Sequence, residues 1–154
     1  MKISLLNRIS FAILLTAFAP LTYWGKVAGA QFPTHFSILT GVPDGWGGKG
    51  AMLLLMGIAA AIYVLLVVCC RYPRMMYYPA KATQEDREKL FPLGVVLAQR
   101  LNRMLMLLFS LMINCSALIA IGVMEKFPVY LMWISLLSIL AAVIQFIVQV
   151  RRAV

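Results

Sequence analysis

The sequence predicts an all-α integral membrane protein: a bundle of four transmembrane helices with both termini in the cytoplasm. A short hairpin-like extracytoplasmic loop joins helices one and two. Three observations carry this. Four long apolar runs, near 9–25, 51–70, 104–124 and 129–150, are free of charge or nearly so. Hydrophobic residues make up 63% of the chain and charged ones 12%, whereas soluble domains hold roughly 45–50% and about 25%. The positive charges also fall unevenly on the two sides of the implied membrane. Little chain remains for a soluble unit, so residues 1–154 read as a single membrane domain.

The first run lies between Arg8 and Lys26. It is near the lower limit for a span, and both flanking side chains can snorkel to the headgroups. Tyr23 and Trp24 suit the far interface, and Pro20 predicts a bend near the helix end. Lys2, Arg8, this apolar core and the small residues Ala28-Gly29-Ala30 also match a secretory signal with cleavage after Ala30. The bulky Tyr23-Trp24 pair and Lys26 beside the site favour a retained helix.

The second run, Ala51 to Cys70, carries no charge and stops at Arg71-Tyr72-Pro73-Arg74. Residues 71–103 form the main polar segment. Thr83 and Asp86 read as a helix N-cap with a capping-box partner. Acidic Glu85, Asp86 and Glu88 come before Lys89, Arg100 and Arg103, the order that suits a helix dipole. Pro92 predicts a kink or a division of this helix. Met104 to Met124 is the third span, Glu125 to Pro128 a turn, and Val129 to Val150 the fourth span, closed by Arg151-Arg152.

With the N-terminus inside, eleven of the fourteen Lys and Arg face the cytoplasm. Only Lys26, Lys49 and Lys126 lie outside. The net charge of +9 therefore points to anionic lipid headgroups rather than to nucleic acid. Cys69, Cys70 and Cys115 match neither a disulfide framework nor a spaced zinc site.

Chemistry concentrates in the outer loop, residues 26–50. Thr34 to Leu39 has strand-like composition, and Pro43-Asp44-Gly45 is a strong turn signal. His35 is the single histidine; it reads first as a side chain that hydrogen-bonds the loop into shape, and otherwise as a proton acceptor, pH sensor or metal ligand, with Asp44 its candidate partner. Gly45, Gly47 and Gly50 fit the dinucleotide-loop spacing but read as turn formers. Within the spans Asn114, Gln145 and Gln149 read as polar glue between helices. No nucleophile arrangement, cofactor site or metal-ligand set is evident.

Pro33-Thr34-His35-Phe36, then Gly41, Pro43-Asp44-Gly45-Trp46-Gly47 and Lys49, resembles a bacterial membrane domain of unknown function. That domain forms the N-terminal module of SdpI-type proteins, which give immunity to a sporulation-delaying toxin. Met76-Tyr77-Tyr78-Pro79 and Thr83 to Asp86 also look like the family's cytoplasmic stretch. The resemblance covers roughly residues 10–90. It implies a multi-pass protein of the bacterial inner membrane with the helix before the loop retained. The expected function is non-enzymatic binding or sensing of a ligand, a peptide or a protein at the outer face. The candidate binding residues are His35, Phe36, Asp44, Trp46 and Lys49. The alternative is a membrane enzyme or transporter component using His35 and Asp44.

Overall fold

A computed structural model describes residues 5–27, 29–76 and 83–153. Lys2, Ala28, Lys81 and the Tyr77-Tyr78-Pro79 part of the second motif lie outside the described residues. Among the described residues four helices are long and apolar enough to cross a membrane. The chain also contains two short strands, so it is mostly rather than wholly helical.

The first span is segmented. Helix α1, Leu5–Thr16, gives way to a 3₁₀ turn over Ala19–Tyr23 and then to α2, Trp24–Val27. Pro20 opens the 3₁₀ turn, where a missing N–H costs least. Strands β1, Phe32–Phe36, and β2, Pro43–Gly47, follow as an antiparallel pair. Helix α3 then runs over Lys49–Arg71, α4 over Gln84–Ala120 and α5 over Val129–Ala153.

Helix α4 is the centre of the molecule and packs against α1, α3, α5 and β1. Small residues are prominent on its buried side, with Gly94, Ala98, Ser110, Ser116 and Ala117 beside the larger Leu90, Met106 and Ile113. Lipid is as apolar as a side chain, so close van der Waals packing must hold such helices together, and small residues permit it. Ala17, Phe32, Met56 and Ile113 join in one buried cluster beneath the hairpin, and Leu14, Ala59 and Met106 form a second. Among the long helices α5 packs chiefly on α4, and Ala142 is its one buried side chain among the described residues.

Several sequence expectations need correction. Of the kink or division expected at Pro92, the division does not occur: α4 runs unbroken through it, 37 residues in all. The proline and Glu88, whose carbonyl loses its helical donor, are both exposed, so water can satisfy that oxygen. Leu90, Gly94 and Ala98 on the buried side hold the helix continuous. The third span ends at Ala120 rather than near 124. Gly122, at φ 75°, closes it in a Schellman turn, with Val123 N donating to Leu118 O at 2.9 Å and Gly122 N to Ile119 O at 3.0 Å. The loop turns over Ser37 to Val42, and Pro43-Asp44-Gly45 lies within β2. A two-stranded ribbon has two free edges, and proline is tolerated there. The strand is Phe32–Phe36 rather than Thr34 to Leu39. Gly45 and Gly47 accordingly sit in β2 and Gly50 in α3, not in turns.

Candidate functional site

The hairpin is irregular at the place where its chemistry sits. His35 pairs with Gly45 and Phe36 with Pro43, which leaves Asp44 as an extra residue on β2. Such a bulge re-aims the side chain it carries. The result is a hydrogen bond of 2.5 Å between His35 Nδ1 and Asp44 Oδ1. Both side chains face solvent, at 72% and 49% exposure. An exposed pair of this kind contributes about 0–1 kcal/mol, so the fold does not depend on it. Among the described residues no group of three His, Cys, Asp or Glu side chains is placed to hold a metal ion.

The hairpin is nonetheless held firmly. Ser37 N donates to Val42 O at 2.9 Å and Gly41 N to Ser37 O at 2.8 Å, which tightens the turn. Phe127 N, between α4 and α5, donates to Gly41 O at 2.9 Å. Gly41 takes φ +71°, and a Cβ there would stand 2.1 Å from the Phe127 carbonyl oxygen. The Phe36 and Phe127 rings pack at 5.0 Å, and Trp133 Nε1 donates to Ile38 O at 3.4 Å. At the base, Phe32 is buried at 1% exposure.

The expected site residues therefore separate. His35 and Asp44 come together. Phe36 is half-buried against Phe127 and supports the hairpin from beneath. Trp46 is 50% exposed and stands opposite Pro33. Lys49 opens α3, exposed, with no ion pair among the described residues. Phe127, Trp133 and the turn role of Gly41 escaped the sequence reading. The first two act from about ninety residues away, and no local signal marks them.

Beneath β1 lies an apolar hollow of about 230 Å³, bounded by Phe32, Thr34, Leu55, Ile58, Met112 and Ser116. It sits between the hairpin and the first turns of α3. Deeper in the bundle, Thr16 and Ser110 hydroxyls meet at 2.6 Å. Asn114 Nδ2 donates to Thr16 O at 2.9 Å and to Ser110 O at 2.8 Å. The Thr16 carbonyl ends α1 and has lost its helical donor, so Asn114 satisfies it where water is scarce. Asn114 thus joins α1 to α4. Gln145 instead accepts a hydrogen bond from Arg100 Nη1.

Comparison with known proteins finds no matching family model, no matching curated protein and no matching solved structure.

Proposed function

We propose that this is a non-enzymatic, multi-pass protein of the bacterial cytoplasmic membrane. It has both termini inside and presents the β1–β2 hairpin at the outer face to bind or sense a ligand. An SdpI-like immunity or signalling role is the most specific form of this reading. The observation that carries it is the exposed His35–Asp44 pair on a hairpin tied to the bundle. Binding groups on loops need a rigid support, and Gly41, Phe36 and Phe127 supply one. The eleven-to-three distribution of positive charge supports the orientation. The hollow under β1 accepts an apolar group at the same end, which suits an amphipathic peptide or protein segment.

The same hydrogen bond would also orient a histidine as a general base. A membrane enzyme or transporter component is accordingly the second reading, and Asp44→Asn addresses it. Asparagine keeps an oxygen that can accept from Nδ1 but loses the negative charge. Under the binding reading the phenotype of Asp44→Asn follows its partner binding: where binding remains, so does the phenotype. Under the enzymatic one the phenotype is lost while partner binding remains.

The primary test replaces His35 and Asp44 singly by alanine in a strain whose deletion has a phenotype. Protein level and melting temperature should stay close to wild type, because an exposed pair contributes about 0–1 kcal/mol. The phenotype should be lost. Stable expression with the phenotype intact in both variants would defeat the proposal.

A further inference from the structure

At the end of the bundle remote from the hairpin, α4 carries Arg100 and Arg103, three residues apart and therefore on neighbouring parts of one face. Among the described residues neither arginine pairs with a carboxylate. The two side-chain ion pairs among the described residues are His35–Asp44 and Lys89–Glu85, and all five Asp and Glu of the chain are described. Among the described residues Arg103 Nε is buried without a hydrogen-bond partner. Arg100 is held through Nη1 by Gln145 Oε1 of α5. A hollow of about 330 Å³ opens between the two helices, lined by both arginines with Ser138, Ala141, Ala142 and Gln145. The alanines leave the space that larger side chains would fill.

Depth identifies the occupant. Arg103 lies seventeen residues before the end of α4 at Ala120, or ~25 Å along a helix rising 1.5 Å per residue. Gln145 lies sixteen residues into α5 from Val129, which is ~24 Å on the same measure. Both reach the level where a hydrocarbon layer of about 30 Å gives way to headgroups. Beside the hollow, Leu137, Leu140, Ile144 and Ile147 of α5 are exposed as an apolar strip. A phosphate bearing acyl chains meets both requirements: an anion for the guanidinium groups and tails for the strip. Basic pockets between spanning helices recognise anionic headgroups in this way, and arginine matches phosphate by paired N–H donors.

We propose that the hollow between α4 and α5 binds the phosphate of an anionic membrane lipid, with Arg103 and Arg100 as its ligands. The site is separate from the hairpin, and its test does not depend on the hairpin's role.

Full-length protein, delipidated in detergent, is titrated with phosphatidylglycerol, phosphatidylcholine or inorganic phosphate, and lipid adducts are read by native mass spectrometry. Phosphatidylglycerol should bind roughly tenfold more tightly than phosphatidylcholine. The double variant Arg100→Gln, Arg103→Gln should lose that preference. Arg151→Gln with Arg152→Gln, which removes equal charge from the end of α5, should keep it. Ala141→Phe fills the hollow with both arginines intact and should also abolish the preference, which covers the case of a misfolded double variant. Equal binding of the two lipids overturns the proposal. So does a preference that survives Ala141→Phe, or one lost equally in the Arg151 and Arg152 variant. Displacement of phosphatidylglycerol by millimolar inorganic phosphate would assign the site to a free anion and likewise overturn it.

Discussion

Gly41 is the residue on which the hairpin's seating turns. Its φ of +71° is costly for any residue with a side chain, and the added Cβ would meet the Phe127 carbonyl at 2.1 Å. Gly41→Ala should therefore destabilise the folded protein by about 1–3 kcal/mol, read as a lower melting temperature in detergent. His35→Ala should change the same reading little, since the exposed pair contributes about 0–1 kcal/mol. The contrast separates a residue that supports the site from one that belongs to its surface. If Gly41→Ala melts like wild type, the hairpin is not seated as described. The sequence named His35 and Asp44 as partners because they share a short loop. It could not show the bulge that joins them, because that depends on the register between two strands.

At the scale of the element, α4 shows how local and distant effects divide. Its start is wholly local. Asp86 N donates to Thr83 Oγ1 at 3.2 Å, and Thr83 N donates to Asp86 Oδ2 at 3.1 Å, the reciprocal capping box the two residues imply. The Thr83 hydroxyl and amide both donate to the Asp86 carboxylate and hold its pKa below the ordinary 3.8; nearby Lys89 lowers it further. A carboxyl with a lowered folded pKa adds stability above its unfolded pKa and loses it as pH falls through the folded one. The protection of the Asp86 and Arg87 amides against hydrogen exchange should thus be steady at neutral pH and fall only below pH 3.8. Asp86→Asn should remove that acid step. An acid step that persists in the variant would rule out Asp86 as its source. The passage of α4 through Pro92, by contrast, is decided by packing along Leu90, Gly94 and Ala98.

For the whole molecule the proposed orientation makes a direct prediction. Single cysteines, introduced after Cys69, Cys70 and Cys115 are replaced, should label from outside at residues 26–50 and 125–128. Position 85 should label only from inside. External labelling at 85 would reverse the topology and remove the hairpin from the outer face. The intact mass of membrane-purified protein should include the residues before Gln31. A chain starting at Gln31 would leave three spans and strip Thr16 from Ser110 and Asn114, the polar link that fastens α1 to α4.

What the sequence alone determined was set by short-range regularities. Apolar runs of spanning length, the order of charges along the chain, and a threonine followed three residues later by an aspartate each act within one or two helical turns. The number of spans, the loop that carries His35 and Asp44, and the start of α4 followed from them. What only the tertiary structure decided rests on contacts between residues far apart in the chain. The Phe127 amide meets the Gly41 carbonyl, and Asn114 satisfies Thr16 across the bundle. Arg100 and Arg103 share a hollow with α5 only because α4 and α5 run antiparallel past each other. Such pairings depend on how helices settle against one another in lipid, where close packing and the satisfaction of polar groups replace the pattern of water-avoiding faces that a sequence displays.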